Sequence, residues 1–366
     1  MIFRRFYDNG LAQASYMIAC ERSSEAIVID PNLDVEMYVR EARDAGVRIV
    51  AVSETHIHAD FASGSRVLAA ATGATLYVSG EGGADWQYGF AGEAGVHILH
   101  GTDTITIGMV RIDVLHTPGH TPEHLTFIVT DRARSEAPVG ALTGDFIFVG
   151  DVGRPDLLER AAGQAGTMRA AAASLYASIQ SFKELPDYIQ IWPGHGAGSA
   201  CGKALSSAAQ STLGYERVAN WAFAPMTESE FVDRVLDGQP TAPPYFGAMK
   251  LRNRDAPAPR KHSLTRMVEP DEVAGGSPID GLVIIDVRNE DEWSSGHIPN
   301  AVLMPLPTLH TRLAEIPRDR PIVVHCQRGG RSAVATATLD AFGFEDVHSL
   351  TGGFAAWEAA GHAVAR

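Results

Sequence analysis

Residues 55–61 read Thr-His-Ile-His-Ala-Asp-Phe and follow directly on an apolar, β-branched run at residues 48–53. A strand that ends in two imidazoles and a carboxylate presents metal-ligand donors at a rigid tip, and the loop beyond it leaves coordination positions open. Three more segments repeat the arrangement just after strand-like runs: His116-Thr117-Pro118-Gly119-His120, Thr143-Gly144-Asp145 and Pro193-Gly194-His195. A single histidine is more often a packing residue than a ligand. Four such clusters, each beside Gly or Thr at a strand-to-loop switch, form a metal constellation.

Working outward, residues 26–30 form a short strand stopped by Pro31, and Val35, Tyr38, Val39 and Ala42 recur at helical spacing up to Gly46. The pattern predicts a helix over 61–72, a strand over 75–79, antiparallel strands over 105–116 and 125–130, and a helix over 161–182. Around residues 255–262 the chain reads Asp-Ala-Pro-Ala-Pro-Arg-Lys-His, charged and without an apolar face, which suits an exposed linker. Beyond it the β/α alternation starts afresh, with aliphatic strands at 282–287 and 321–325 and a helix at 332–341. Aliphatic strands alternating with helices indicate a parallel sheet covered on both faces. Two α/β domains are therefore expected, residues 1–254 and 263–366.

The chain has 366 residues, 45% of them hydrophobic, with 36 Gly and 20 Pro. That is enough apolar surface for a core in each domain, so a disordered class is excluded. Thirty basic residues against 44 acidic leave a net charge of −14 with His neutral. Nucleic acid and anionic membrane, which need a basic footprint, are not expected partners. No apolar run is long enough to span a bilayer, and the first ten residues lack the apolar segment of a secretory signal. Three cysteines far apart (Cys20, Cys201 and Cys326) are no disulfide framework, and reduced thiols fit a cytoplasmic location. Cys20 sits in an apolar strand-like stretch and reads as core.

The four clusters resemble the metallo-β-lactamase superfamily, whose pattern is HxHxDH followed by a His, an Asp and a His. The resemblance implies an αββα sandwich with metal between its two sheets. One metal in that family uses the HxH pair and the matches to His120 and Asp145; the second uses the Asp and last His of HxHxDH with the match to His195. Here that last His is Phe61, which has no donor atom, so Asp60 and His195 with a shared bridge make a poor cage and one metal is expected. Two imidazoles and a carboxylate (His56, His120 and Asp145) with open positions opposite suit Fe(II) that binds O2 and a substrate; zinc suits the same donors. His58 is either a fourth ligand or a hydrogen-bond partner near the metal. His116 and His124 read as structural.

More narrowly, THIHADFASG, HTPGHTPEH, GDFIFVGDVGRPDL and WPGHGAGSACGK are similar to persulfide dioxygenases over about residues 1–250. That resemblance implies oxidation of R–S–SH by O2 to sulfite and thiol at one Fe(II) on His56, His120 and Asp145. It also implies that Arg154 binds the carboxylate of the thiol carrier, against a packing role weighed equally. Cys201 lies on a small-residue loop before Lys203, which is expected to favour a thiolate, and relay of persulfide sulfur towards the iron is its expected role. Residues 214–253, with Tyr215, Tyr245, Phe246 and Lys250, are read as a cover over this site.

In the second domain, His325-Cys326-Gln327-Arg328-Gly329-Gly330-Arg331-Ser332 joins a strand to a helix. A helix N-terminus and curled backbone N–H groups stabilise a thiolate and cradle an anion, and Arg328 and Arg331 add positive charge. With Ile285-Asp286-Val287-Arg288, Gly296-His297-Ile298-Pro299 and Thr351-Gly352-Gly353-Phe354, this loop resembles rhodanese sulfurtransferases. Six residues from Cys326 to Arg331 suit a sulfur atom rather than the larger phosphate. Asp286 and Arg288 read as structural.

Together the two resemblances imply a persulfide dioxygenase–rhodanese fusion in sulfide detoxification. Its partners would be a low-molecular-weight thiol persulfide, O2, sulfite and thiosulfate, and its subunits are expected to associate as a homo-oligomer. Which thiol carries the sulfur, and in which direction the rhodanese works, stay open. Two alternatives are a glyoxalase II-like thioester hydrolase with an appended rhodanese, and a persulfide sensor.

Overall fold

A computed structural model describes residues 1–8, 11–160, 166–243, 245–255, 266–275, 281–309 and 312–366. The first sheet has the spatial order β1 (Ile2–Asp8), β2 (Gln13–Cys20), β3 (Glu25–Ile29), β4 (Arg48–Ser53), β5 (Thr75–Ser79) and β6 (Val96–Leu99). The second contains β7 (Thr104–Ile107), β8 (Val110–His116), β9 (Leu125–Asp131), β10 (Gly140–Gly144), β11 (Gln190–Pro193) and β12 (Ser211–Thr212), also neighbours in that order. Strict alternation along the strands sorts the two faces. Tyr16, Ile18, Ile27 and Ile29 meet Ile112, Val114, Phe127 and Val129 in a core between the sheets. Met17, Ala19, Ala26 and Val28 point the other way, under the helices Val35–Asp44 and Ser65–Thr72. Ile128, Ala141 and Ile191 face the helices Met168–Phe182 and Glu228–Leu236. The result is the expected αββα sandwich.

The second body is a parallel sheet ordered β13 (Arg266–Val268), β17 (Val347–Leu350), β16 (Ile322–His325), β14 (Val283–Asp286) and β15 (Val302–Leu303). Its strands are apolar on both faces and lie between two cores, as the aliphatic runs predict. The helix Gly330–Ala341 starts two residues before its expected position, at the turn of the cysteine loop. The expected linker lies, from residue 256 on, outside the described residues, as do residues 161–165 of the helix expected over 161–182. Among the described residues no helix is long and apolar enough to cross a membrane.

Two expectations change. Residues 105–116 are a hairpin, not one strand, because Gly108 takes φ +56° between β7 and β8. The helix expected over 61–72 begins only at Ser65. Its missing turn is drawn into a loop: Asn253 Nδ2 donates to the carbonyls of His58 (2.8 Å) and Phe61 (2.7 Å), and Asn253 Oδ1 accepts from the Ser63 N–H (3.0 Å). Asn253 lies on the helix Phe246–Asp255, whose Met249 shares a core with Ile285, Val324 and Cys326 of the second body.

Asn253→Leu removes three buried hydrogen bonds at one stroke. With buried partners left unpaired at about 1–3 kcal/mol each, partly relaxed, a loss of about 2–4 kcal/mol is expected in chemical denaturation. A change below about 0.5 kcal/mol would show that the loop does not depend on this clamp.

Candidate metal centre

The four ligand-bearing segments leave the C-terminal ends of β4, β8, β10 and β11, so both sheets deliver them to one rim. There the ligand atoms of His56, His120 and Asp145 lie within 4.8 Å of one another, all buried. Asp145 Oδ2 stands 3.5 Å from His120 Nε2 and 4.0 Å from His56 Nε2. The three residues expected as iron ligands are thus brought together.

Hydrogen bonds fix which nitrogen faces the centre. Thr55 Oγ1 donates to Asp30 Oδ2 (2.9 Å) and so accepts from His56 Nδ1–H (2.9 Å). The carbonyl of Arg154 accepts from His120 Nδ1–H (3.0 Å), and that of Ala12 from His195 Nδ1–H (3.1 Å). His56 and His120 therefore turn Nε2 inward, as a metal requires. His195 aims its Nε2 at Asp60 and Asp145; burial opposes its charged form, but the two carboxylates outweigh burial and raise its pKa. Burial, reinforced for His56 by neighbouring imidazoles, lowers the pKa of His56 and of His120, which keeps both neutral and ready to bind. His58 belongs elsewhere: its Nε2 bonds Asp30 Oδ1 at 3.0 Å and it is outside the donor cluster. Burial opposes its charged form, but Asp30 outweighs it and raises the pKa to about 9. Asp30, at φ +54°, also accepts from the Thr55 N–H (2.6 Å), so one carboxylate orients the whole loop.

Asp145 is held by its backbone, its N–H donating to His124 Nε2 (3.2 Å), which confirms His124 as a support. His116, half-exposed and bonded to the Pro122 carbonyl, is structural too. Gly144, at φ +48°, has room for no Cβ against Thr55 and His124, which explains the glycine before Asp145. Both Asp145 oxygens are buried without a hydrogen-bond partner. A buried carboxylate left so is costly unless a cation meets it, so this donor set fits a metal ion.

A second cluster adjoins the first: Asp60, His195 and Cys201, again buried with ligand atoms within 4.8 Å of one another. The sequence left Asp60 and His195 with only a bridge; the fold adds the sulfur of Cys201. Arg154 accounts for its arrival. Wholly buried, Arg154 grips Asp156 through Nε and Nη2 (both 2.8 Å) and donates to the carbonyls of Ala200 (3.0 Å) and Pro240 (2.6 Å). Four of its five N–H groups are engaged in fastening the cysteine loop, the packing role weighed beside binding of a carrier carboxylate. Lys203 does not face Cys201; its Nζ donates to the carbonyls of Arg234 and Asp237 at the surface. Burial, then Asp145 and Asp60, push the Cys201 thiol up, so it is neutral without a metal. Phe246 packs on Cys201 beside Tyr245, whereas Tyr215 is exposed away from the site and Lys250 rests on Trp86 at 3.3 Å.

In the second body Cys326 follows β16 at the start of the loop, buried, with the Gly329 N–H donating to its Sγ at 3.1 Å. Arg331 is paired in a fork with Glu292 (2.7 and 2.6 Å), and Arg328 is exposed. Arg288 braces the loop, bound to Asp286 and to Gln327 Oε1 (3.0 Å), the structural role expected of that pair.

Residues 8–195 match the metallo-beta-lactamase superfamily. The chain belongs to that superfamily. Residues 269–360 match the rhodanese-like domain family, which makes it a fusion of the two. A metallo-beta-lactamase from Staphylococcus aureus subsp. aureus COL of solved structure is 39% identical, covering 96% of this chain and 98% of its own, at a TM-score of 0.75. Hydroxyacylglutathione hydrolase of Polaromonas sp. is 33% identical over 53% of this chain and 66% of its own length. Persulfide dioxygenase ETHE1, mitochondrial, of Homo sapiens is 28% identical over 53% of this chain and 68% of its own. The chain thus spans about two thirds of these two relatives. Both domains are of enzyme families, and the metallo-beta-lactamase superfamily is metal-dependent.

Within this superfamily frame the Arg154 clamp is testable. Arg154→Lys breaks the fork and leaves Asp156 buried with a poor partner, at an expected cost of about 3–5 kcal/mol in denaturation. Unchanged stability would return Arg154 to the role of a substrate-binding residue.

Proposed function

We propose that the chain oxidises a low-molecular-weight thiol persulfide with O2 to sulfite and thiol in its first domain, and joins sulfane sulfur to sulfite as thiosulfate in its second. The observation that carries this reading is one chain holding both a His56–His120–Asp145 donor set and a six-residue cysteine loop suited to sulfur. The likeness to persulfide dioxygenases and to rhodanese-like domains supports it. An Fe(II) ion held by His56, His120 and Asp145 supplies the redox chemistry. The net conversion is R–S–SH + O2 + H2O to R–SH and SO3²⁻ with two protons released.

The chain's own residues do the rest. Neutral His56 and His120 hold their Nε2 atoms inward, and Phe61 removes an imidazole donor from the neighbouring position. Tyr245 and Phe246 form an apolar wall beside Cys201 that limits water. At Cys326, the Gly329 N–H supports negative charge on sulfur. Arg331, forked to Glu292, also reaches Cys326, and exposed Arg328 adds a second guanidinium to meet sulfite. Cys326 takes the outer sulfur of a second R–S–SH, breaking that S–S bond and releasing R–SH. Sulfite then takes this sulfur from the Cys326 persulfide, breaking its S–S bond, forming that of thiosulfate and restoring the thiol. Joining both steps on one chain raises the local concentration of the shared intermediate.

A thioester hydrolase is the second reading, favoured by the Asp60–His195–Cys201 cluster, which gives a two-metal hydrolytic centre donors. Oxygen uptake and sulfite formation from glutathione persulfide decide between them. The dioxygenase reading expects both, and anaerobic cleavage of a glutathione thioester without them would replace it. Cys326→Ser should abolish thiosulfate formation yet leave sulfite release intact; loss of both would refute independent sites. His120→Ala should abolish sulfite release while sulfur transfer from thiosulfate to cyanide continues, and retained oxygen uptake would rule out this ligand set.

A further inference from the structure

We propose that Glu292 is a positioning residue of the second domain: it holds the Arg331 guanidinium in a single pose beside the Cys326 sulfur. This deepens the sulfur-transfer half of the proposed function and rests on it. Arg331 Nη1 donates to Glu292 Oε2 (2.7 Å) and Nη2 to Oε1 (2.6 Å), an end-on fork that engages both carboxylate oxygens. The two residues lie 39 apart in the chain, so the fork ties the end of the cysteine loop to a different element, the helix Glu290–Ser295. Glu292 is fixed on its own side too, its Oε2 accepting from the Asn289 N–H (3.1 Å) where that helix starts.

The three arginines around the loop are used differently. Arg288 is buried behind it on Asp286, the Gly296 carbonyl and Gln327, and Arg328 is exposed. The fork takes two of the five N–H groups of Arg331 and leaves the rest to face the sulfur. Glu292 foremost, and then Cys326, raise the pKa of Arg331 against burial, as suits a guanidinium lying between them. Cys326 Sγ otherwise meets neutral groups, the Gly329 N–H (3.1 Å) and Ser332 Oγ (3.8 Å). An arginine side chain has many rotamers, and a loose one faces the sulfur only part of the time. Fixed beforehand, it needs no reorganisation when charge develops there. A carboxylate near a sulfur anion disfavours that anion by charge alone. Any gain from Glu292 must therefore pass through Arg331, which sets the sign of the test.

The test uses the full chain and two readouts. One is the pH at which alkylation of Cys326 by iodoacetamide is half-maximal, followed on the Cys326 peptide. The other is sulfur transfer from thiosulfate to cyanide. There the outer sulfur passes to Cys326, sulfite departs with the electron pair of the broken S–S bond, and cyanide carries the sulfur off as thiocyanate. Glu292→Gln should move the alkylation profile to higher pH and slow transfer about tenfold. Arg331→Ala should do both, and Glu292→Gln added to it should bring no further rise and no further slowing. Should Glu292→Gln not fold, Glu292→Asp serves instead: it keeps the charge but is one methylene short of the fork, and the same two changes are expected. A profile that stays in place or moves to lower pH overturns the role. So does a loss that persists undiminished beside Arg331→Ala, the signature of a helix cap alone. A profile that rises on Glu292→Gln in a chain that transfers no sulfur would overturn the sulfur-transfer reading and leave the positioning of Arg331 standing. Transfer that is present but indifferent to Glu292→Gln would do the reverse.

Discussion

The Asp145 carboxylate is wholly buried at the rim where two sheets end, with neither oxygen hydrogen-bonded. Everything around it is arranged to face those oxygens. One oxygen looks towards His56 and His120, the other towards His195, and three separate carbonyl or hydroxyl acceptors fix the three rings through their Nδ1 atoms. Without a metal the arrangement is expensive, because both oxygens are desolvated and lack a hydrogen bond. The strand ends, the glycine before Asp145 and the Asp30 anchor are all explained by the need to hold these donors in place before the ion arrives.

The second domain surrounds its cysteine with backbone and guanidinium groups. Cys326 gains a backbone N–H from a loop that Arg288 braces from behind, while Glu292 occupies Arg331 and so fixes the loop's outer wall. A fixed backbone dipole of this kind needs no reorganisation when charge develops beside it. The two domains thus offer different surroundings, a cluster of buried donors in one and an oriented amide at a thiol in the other.

Much of this was legible in the sequence because its signals are local. His56, His120 and Asp145 each stand within four residues of the end of a strand, and the cysteine loop announces itself by two glycines and two arginines. What was hidden depends on distant partners. The shortened helix before Ser65 needs Asn253, nearly two hundred residues on, and nothing near residue 61 signals it. The place of Cys201 beside Asp60 and His195 emerges only when Arg154 holds its loop inward. Here a clue did exist, since Arg154 and Asp156 are two residues apart and a buried Arg–Asp fork at that spacing is a structural unit. The hairpin at Gly108 could have been read from its glycine, but alternation on either side masked the break.

The helix Phe246–Asp255 ends the first domain in sequence yet belongs to both in space. Phe246 lies on the Cys201 loop, Met249 in a core with Cys326, and Asn253 under the Phe61 loop. Cutting the chain after residue 255 would therefore bare an oily flank and unsettle the scaffold of a distant donor set. The two halves are modular as text but not as matter, and any exchange of the second for another domain would have to supply a matching greasy face.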